Sequence, residues 1–358
     1  FQIVETADNI DATNPNYIGK LGSGRINAYR AVTEDVTALP RISIRRHFID
    51  DNAGGNGNGR IDYGETVDLS LQLSNVWEDA QNLSATLTIA DSVAEVLKET
   101  ASYGTLTGLR DLNDNLKTND TDPFILQIKD GILPKRVKCE LLLTANNGYN
   151  EIFEFDIAIN PSVLIVDDDD GDNNIEGYYT EVLDSLGVAY DIHDHELNGT
   201  PDFQQLYAYP TVIWACEWTF PSLTEEDQMV LSLFLDSGGK LFISGQDIGW
   251  DLSDLEGTGY VGSGGASKDF YENYLRARYL LNTSPFSSLN GISGDPLTDG
   301  ISINVYQPGR AAANQYPSEV EPVNDGDSIL NYPNGNSGAV RYDGLYRMVY
   351  FAFGGFEA

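Results

Sequence analysis

Val163-Leu164-Ile165-Val166-Asp167-Asp168-Asp169-Asp170-Gly171-Asp172 is the stretch that decides how this chain is read. Its four leading residues form an unbroken apolar run, which a strand buried on both faces requires and a strand with one wet face does not. Downstream, Tyr179, Val182, Leu183 and Leu186 recur at helical spacing, and Gly187 stops the helix. Val188 to Ile192 and Thr211 to Ala215 read as strands. A second helix opens at Thr224, which stands in capping-box spacing to Asp227, and stops at Gly238-Gly239. Lys240 to Ser244 is another buried strand. Strands separated by helices imply right-handed crossovers and a doubly wound, mostly parallel α/β sheet. A helix over Lys268 to Leu280 and closing strands at Ala339 to Tyr342 and Tyr346 to Phe353 complete this domain, residues 161–358.

Upstream of it the period changes to two. Val67, Leu69, Leu71 and Leu73 share a face, as do Leu83, Ala85, Leu87 and Ile89, then Phe124, Leu126 and Ile128. Val137, Cys139, Leu141 and Leu143 follow, and then Phe153, Phe155, Ile157 and Ile159. Half-buried strands with no helix between them predict an antiparallel β-sandwich of immunoglobulin-like type over 38–160. Residues 1–37 are too few to fold alone; within them Ile26, Tyr29 and Ala31/Val32 line one side of a short amphipathic stretch.

Fifty-five acids against 21 bases give a net charge of −34. Such a surface repels phosphate backbones and anionic bilayers, so nucleic-acid binding is excluded, and no apolar run approaches the roughly 18 residues of a membrane span. Divalent cations are the partners it invites. Cys139 and Cys216 lie far apart, outside any zinc-ligand spacing, and read as buried thiols.

Two acidic segments are candidate metal sites. With Gly59 as the turn glycine of a calcium loop, Asn56, Asn58, Asp62 and Glu65 fall at ligand positions. Gly54 stands where the first ligand belongs, so Asp50 or Asp51 has to reach in, and no helices flank the loop. The alternative is an Asn/Gly hairpin that satisfies its own backbone. The second segment is Asp167, Asp168, Asp169, Asp170 and Asp172 at the carboxyl end of the first α/β strand, where the following loops bring Glu217 and Asp247 to the same edge. Adjacent carboxylates raise one another's pKa unless a cation neutralises them, and residues 161–200 hold eleven acids with no Lys or Arg. Acids capping a helix N-terminus are the alternative.

Nucleophilic catalysis finds little support. The chain has three histidines, His47, His193 and His195; the last two alternate on one strand, which would place both imidazoles on one face for a metal, but they read rather as a solvated edge-strand tip. There is no Gly-x-Ser-x-Gly elbow, Cys216 has no base beside it in sequence, and Ser244-Gly245-Gln246-Asp247 offers no ordinary nucleophile. Trp214, Trp218 and Trp250 near the carboxyl edge are compatible with carbohydrate binding, although core packing accounts for them as well.

Thr6-Ala7-Asp8-Asn9-Ile10-Asp11, Asn14-Pro15-Asn16-Tyr17 and Gly19-Lys20-Leu21-Gly22-Ser23-Gly24-Arg25-Ile26-Asn27-Ala28 resemble the end of the catalytic domain in secreted subtilisin-like serine proteases. The segment Gly55 to Glu65 is similar to the opening of β-sandwich modules that follow such domains. Val163 to Trp250, with Tyr346 to Phe351, resembles a glutamine-amidotransferase-like, flavodoxin-like α/β module that lacks its elbow cysteine. The resemblance implies the C-terminal region of a secreted bacterial protease precursor, extracellular or cell-surface, with a closing helix of the α/β module missing after the final residue. The triad residues would precede this chain, so none of its residues inherits a catalytic role.

These readings lead to a non-catalytic, Ca²⁺-stabilised module for structure, cell-surface or polysaccharide attachment, or self-assembly into a filament or tube. Ile26 and Tyr29 would supply the contact between copies. The alternatives are a metal-dependent hydrolase or a carbohydrate-binding module at the carboxyl edge of the α/β sheet.

Overall fold

The computed structural model describes residues 2–108, 115–169, 175–306 and 315–354. Two compact units emerge: Phe1–Gly57, Gly64–Asp130 and Val137–Asp156 form unit 1, and Asn58–Tyr63, Gly131–Arg136 and Ile157–Ala358 form unit 2.

Unit 1 begins with two short helices, α1 (Gln2–Glu5) and α2 (Ala28–Thr33). Asp8 organises this segment, bonding Arg25 and Asn27 at 2.9 Å each. Neither helix buries a side chain: Ile26 is 68% and Tyr29 75% exposed. Antiparallel strands follow in two sheets. One contains β1 (Ile42–Asp50), β2 (Thr66–Asn75), β4 (Ala94–Lys98), β6 (Leu116–Thr118) and β7 (Phe124–Ile128), in the order β1-β2-β7-β4 with β6 also on β2. The other has the order β5-β3-β8-β9, where β3 is Ala80–Ile89, β5 Thr100–Leu106, β8 Lys135–Thr144 and β9 Asn150–Ile159. Most of the period-two faces seen in the sequence become the core: Val67, Leu69, Leu71, Leu73, Leu83, Ala85, Cys139, Leu141 and Leu143 are fully buried, whereas Ile89, Phe153 and Phe155 are half-buried. Tyr103 from β5 reaches the other sheet, donating its hydroxyl to Leu71 O at 2.9 Å, so this buried polar group is satisfied.

Unit 2 is built on an eleven-stranded mixed sheet. Five strands run parallel in the order β11-β10-β12-β13-β20: β10 is Val163–Asp167, β11 Tyr190–Asp194, β12 Thr211–Glu217, β13 Lys240–Gly245 and β20 Arg347–Phe351. The sheet continues antiparallel through β19 (Ser337–Asp343), β18 (Asp327–Asn331), β15 (Ser288–Gly291) and β16 (Ser302–Asn304), while β17 (Glu319–Pro322) joins β19 to β14 (Ala277–Leu281). The sheet is therefore mixed where a mostly parallel one was expected. Closing strands that follow one another through a tight turn, as β19 and β20 do, pair antiparallel because a parallel return needs a long crossover.

Helices cover both faces of the parallel half. On one, α3 (Glu176–Leu186) places Tyr179 against Val163, Ile165 and Ala215. On the other, α6 (Glu225–Asp236) contributes Leu231, Phe234 and Leu235 to a core with Leu164, Val166, Val212 and Trp214. Short helices α4 (His195–Asn198), α5 (Phe203–Tyr207), α7 (Ile248–Ser253) and α8 (Thr258–Gly262), and the longer α9 (Ala266–Tyr274), fill the connections. Thr224 and Asp227 form the expected reciprocal capping box. Gly187 ends α3 in the left-handed region at φ 66°, which only glycine adopts without strain. The helix expected over Lys268 to Leu280 stops at Tyr274: Arg276 turns left-handed at φ 55°, and Ala277 enters β14 by pairing with Pro322.

Candidate functional site at the carboxyl edge of the unit 2 sheet

The parallel strands deliver their acidic ends to one edge, but alternation divides the aspartate run. Successive strand side chains point to opposite faces, so Asp167 and Asp169 part from Asp168. Asp167, Asp169 and Glu176 each bring an oxygen within 4.8 Å of the others. Burial, followed by the charges of Asp169, Glu176, Asp194 and Asp168, pushes the Asp167 carboxyl up to about 8. Its Oδ1 is sealed from water and makes no hydrogen bond. Asp170 and Asp172 lie outside the described residues.

Asp168 instead faces His195 and Trp214. Trp214 Nε1 donates to Asp168 Oδ2 at 2.8 Å, His195 Nδ1 lies 3.1 Å from Asp168 Oδ1, and His195 Nε2 lies 2.9 Å from Asp227 Oδ1. Thr200 and Thr224 hydroxyls also donate to Asp227. Burial raises the Asp227 carboxyl, but these hydrogen bonds outweigh it and hold the group below the ordinary carboxylate range. His195 thus bridges two buried carboxylates, Asp168 just after β10 and Asp227 in α6, and the three side chains each bring a ligand atom within 4.8 Å of the others. The expectation of a solvated histidine tip is overturned. His195 begins α4 with its side chain 16% exposed, and His193 is buried between Gly199 O at 2.8 Å and Gln205 Nε2 at 3.0 Å. The motif His-Asp-His places these residues at the end of a strand; the partners that bury His193 lie 6 and 12 positions on, and those of His195, Asp168 and Asp227, lie 27 positions before and 32 after it, beyond what a local pattern reveals.

Glu217 and Asp247 end adjacent strands, both in the left-handed backbone region at φ 45° and 62°. Gly245-Gln246-Asp247-Ile248-Gly249 is a tight strand-to-helix turn with a glycine two places either side of Asp247. A Cβ on Gly245 would come within 2.9 Å of Cys216 Cβ and Ile248 Cδ1, and one on Gly249 within 2.6 Å of the Tyr271 hydroxyl. This is the geometry of a nucleophile elbow with a carboxylate at its apex. Sequence reading missed it by looking for serine or cysteine there. Asp247 is 3% exposed. Burial pushes its carboxyl up to about 6 against the pull of a 2.8 Å bond from Trp218 Nε1 to Oδ2, and Oδ1 has no hydrogen-bond partner. Among the described residues the acidic edge thus holds Asp167 and Asp169 with Glu176, Asp168 with His195 and Asp227, and Asp247 with Trp218. The tryptophans separate likewise: Trp214 is core, whereas Trp218 is 40% exposed.

The candidate calcium loop belongs partly to each unit, Asp50, Asp51, Asn56 and Glu65 to unit 1 and Asn58 and Asp62 to unit 2. In unit 1, Asp51 Oδ2 accepts from Gly57 N at 2.7 Å, Glu65 Oε1 from Asn56 N at 3.0 Å, and Asp50 Oδ1 from the Asn52 backbone and side chain. In unit 2, Asp62 receives Asn58 Nδ2 and Arg60 Nη2 at 2.8 Å each. The unit 1 carboxylates thus accept from the loop's own backbone N–H groups, whereas the unit 2 contacts join side chains. The two converging groups of three metal-ligating side chains among the described residues are both in unit 2.

No protein-family model and no curated protein matches the chain. Among solved structures it is similar to part of a Pseudomonas fluorescens alkylpurine DNA glycosylase, AlkC (14% identity, 33% of this chain and 30% of that one, TM-score 0.20). It is also similar to a Niemann-Pick type C2 protein from the Japanese carpenter ant (9% identity, 35% and 97%, TM-score 0.19). A third is a family 123 glycoside hydrolase from Clostridium perfringens (10% identity, 54% and 44%, TM-score 0.17).

Proposed function

We propose that this chain is a non-catalytic accessory portion of a secreted, subtilisin-like protease, in which an immunoglobulin-like sandwich precedes an amidotransferase-like module that a divalent cation, Ca²⁺ by its oxygen-only ligands, holds in shape. The observation that carries the cation is the convergence of Asp167, Asp169 and Glu176, with Asp167 pushed up to about 8 by burial and by these neighbours. A hard cation offsets that repulsion and gains oxygen ligands. The accessory role is supported by the motif resemblances and by the engagement of both His195 nitrogens with buried carboxylates.

Calorimetry of chelator-treated protein tests this. Added Ca²⁺ at constant ionic strength should raise the melting temperature by several degrees, and Asp167→Asn with Glu176→Gln should abolish the rise. A melting temperature indifferent to chelator and Ca²⁺ would refute the cation.

Self-association belongs to the same reading, because Ile26 and Tyr29 are exposed in a segment that buries no helical side chain. Light scattering of the full chain with and without Ca²⁺ tests it, and Tyr29→Ser should lower the mass observed. Metal-dependent hydrolysis is a second reading, favoured by the placement of the same three acids at the carboxyl edge, where parallel sheets bind ligands. Its mark would be turnover that Asp169→Asn removes.

A further inference from the structure

We propose that Asn147-Gly148, in the turn between β8 and β9, is a site of self-modification: the asparagine closes onto the following backbone nitrogen, expels ammonia and reopens with water as isoaspartate or aspartate. The inference is independent of the Ca²⁺ site and of the accessory reading. Six Asn-Gly pairs occur in the chain, beginning at Asn56, Asn58, Asn147, Asn198, Asn290 and Asn334. A glycine has no side chain to shield its nitrogen, so the sequence makes all six candidates.

Hydrogen bonding separates them. The reaction needs the glycine nitrogen as nucleophile and the asparagine side chain free to turn over it, so a bond at either group opposes it. Gly57 N donates to Asp51 Oδ2 at 2.7 Å, Gly199 N to His195 O at 2.8 Å, Gly291 N to Ile301 O at 2.8 Å and Gly335 N to Tyr332 O at 2.9 Å. Side chains are held as well. Asn58 donates to Asp62 Oδ2 at 2.8 Å and accepts from Arg60 N at 3.0 Å, and Asn198 donates to Asp194 O at 2.8 Å. Asn290 accepts from Ser302 Oγ at 3.0 Å, and Asn334 donates to Glu319 Oε2 at 2.9 Å.

Asn147 and Gly148 are both exposed, and among the described residues no hydrogen bond engages the Asn147 side chain or Gly148 N. A Cβ on Gly148 would meet nothing within 4 Å, so water has access to the turn from that side. Asn147 stands at φ 62° and ψ 20°, and Tyr149 N lies 3.5 Å from Asn146 O, a long and weak closure of the turn. Rotation about Asn147 ψ, which carries Gly148 N toward Cγ, therefore meets little resistance.

Water or hydroxide takes the Gly148 N–H proton, the nitrogen bonds to Asn147 Cγ, and the Cγ–Nδ2 bond breaks as ammonia leaves. A second water opens the cyclic imide at either carbonyl. Opening at the main-chain carbonyl routes the backbone through Cγ and lengthens the turn by a methylene, against the 3.1 Å bond from Ala145 N to Tyr149 O. Either opening adds a negative charge beside Asn146, whose Oδ1 accepts from Asn82 Nδ2 at 3.1 Å.

Peptide mapping by mass spectrometry tests the proposal on the full chain, held folded at mildly alkaline pH and sampled over time. The peptide holding Asn147 should gain about 1 Da and split into two chromatographic peaks, isoaspartate and aspartate. Its rate should exceed that of every other Asn-Gly pair at least about tenfold, the factor that one hydrogen bond of ordinary strength supplies. In guanidinium-unfolded chain the six rates should converge, because protection by local structure is then lost. Asn147→Gln should abolish the change in that peptide, and Gly148→Ala should slow it. The comparison of folded with unfolded wild type needs no variant and decides the matter if either substitution disturbs the turn. A folded chain in which Asn147 converts no faster than the other five, or an advantage of Asn147 that persists undiminished in guanidinium, would overturn the assignment.

Discussion

His195 Nε2 lies 2.9 Å from Asp227 Oδ1, joining the end of β11 to the first turn of α6. Asp227 therefore performs two tasks, capping its own helix through Thr224 and anchoring the imidazole that also holds Asp168. Replacing His195 with alanine leaves two buried carboxylates without the side chain they share, and removing one partner of a buried pair costs about 3–5 kcal/mol. Urea denaturation should show that loss. His195→Gln, which keeps one donor, should lose less.

Thr224→Ala removes one half of the reciprocal cap, the hydroxyl that accepts from Asp227 N, together with that hydroxyl's bond to Asp227 Oδ2, and keeps the other half, the Thr224 backbone N–H donated to Asp227 Oδ2. A cost of about 1–2 kcal/mol is expected, read as a lower urea midpoint with an unchanged slope.

Asp247 gives the pH dependence a definite sign. Its folded carboxyl titrates at about 6, above the ordinary value of 3.8. The folded state thus holds a proton that the unfolded chain has released, and stability falls as pH rises through that window. Asp247→Asn should flatten this fall and leave the protein about 1–3 kcal/mol more stable at pH 8 than the wild type, measured by melting across pH 4 to 8. Asparagine tolerates the left-handed backbone that most residues would strain. A variant equally stable at pH 4 and less stable at pH 8 would contradict the account.

Gly249→Ala places a methyl group 2.6 Å from the Tyr271 hydroxyl, itself in contact with Tyr350 at 3.2 Å. Overpacking of this kind costs about 1–3 kcal/mol. Gly187→Ala, by contrast, meets open space and pays only for its left-handed φ, so its smaller loss separates steric from backbone strain.

The period-two faces of unit 1 and the apolar run of β10 were legible because burial follows side-chain alternation within a few residues. The helix stop at Gly187 and the cap at Thr224 were legible for the same reason. Lys268 to Leu280 was misread because its apolar spacing suits a helix, while the pairing of Ala277 with Pro322, 45 positions on, draws its second half into the sheet. The aspartate run was read as one site because sequence gives proximity along the chain and not the face each side chain takes.

By itself, the sequence determined an acidic β-rich chain, the local elements and the strand whose carboxyl end gathers the charge. Those features rest on periodicity and capping, which act over one or two turns. Tertiary structure decided which acids meet. Strand alternation sent Asp168 to His195 and left Asp167 and Asp169 with Glu176, and crossover connections brought Asp227 to the first of these groups. The turn after β13 then set Asp247 against Trp218. Long-range register fixes such contacts, because only the packed sheet determines which residues far apart in the chain share one low-dielectric space.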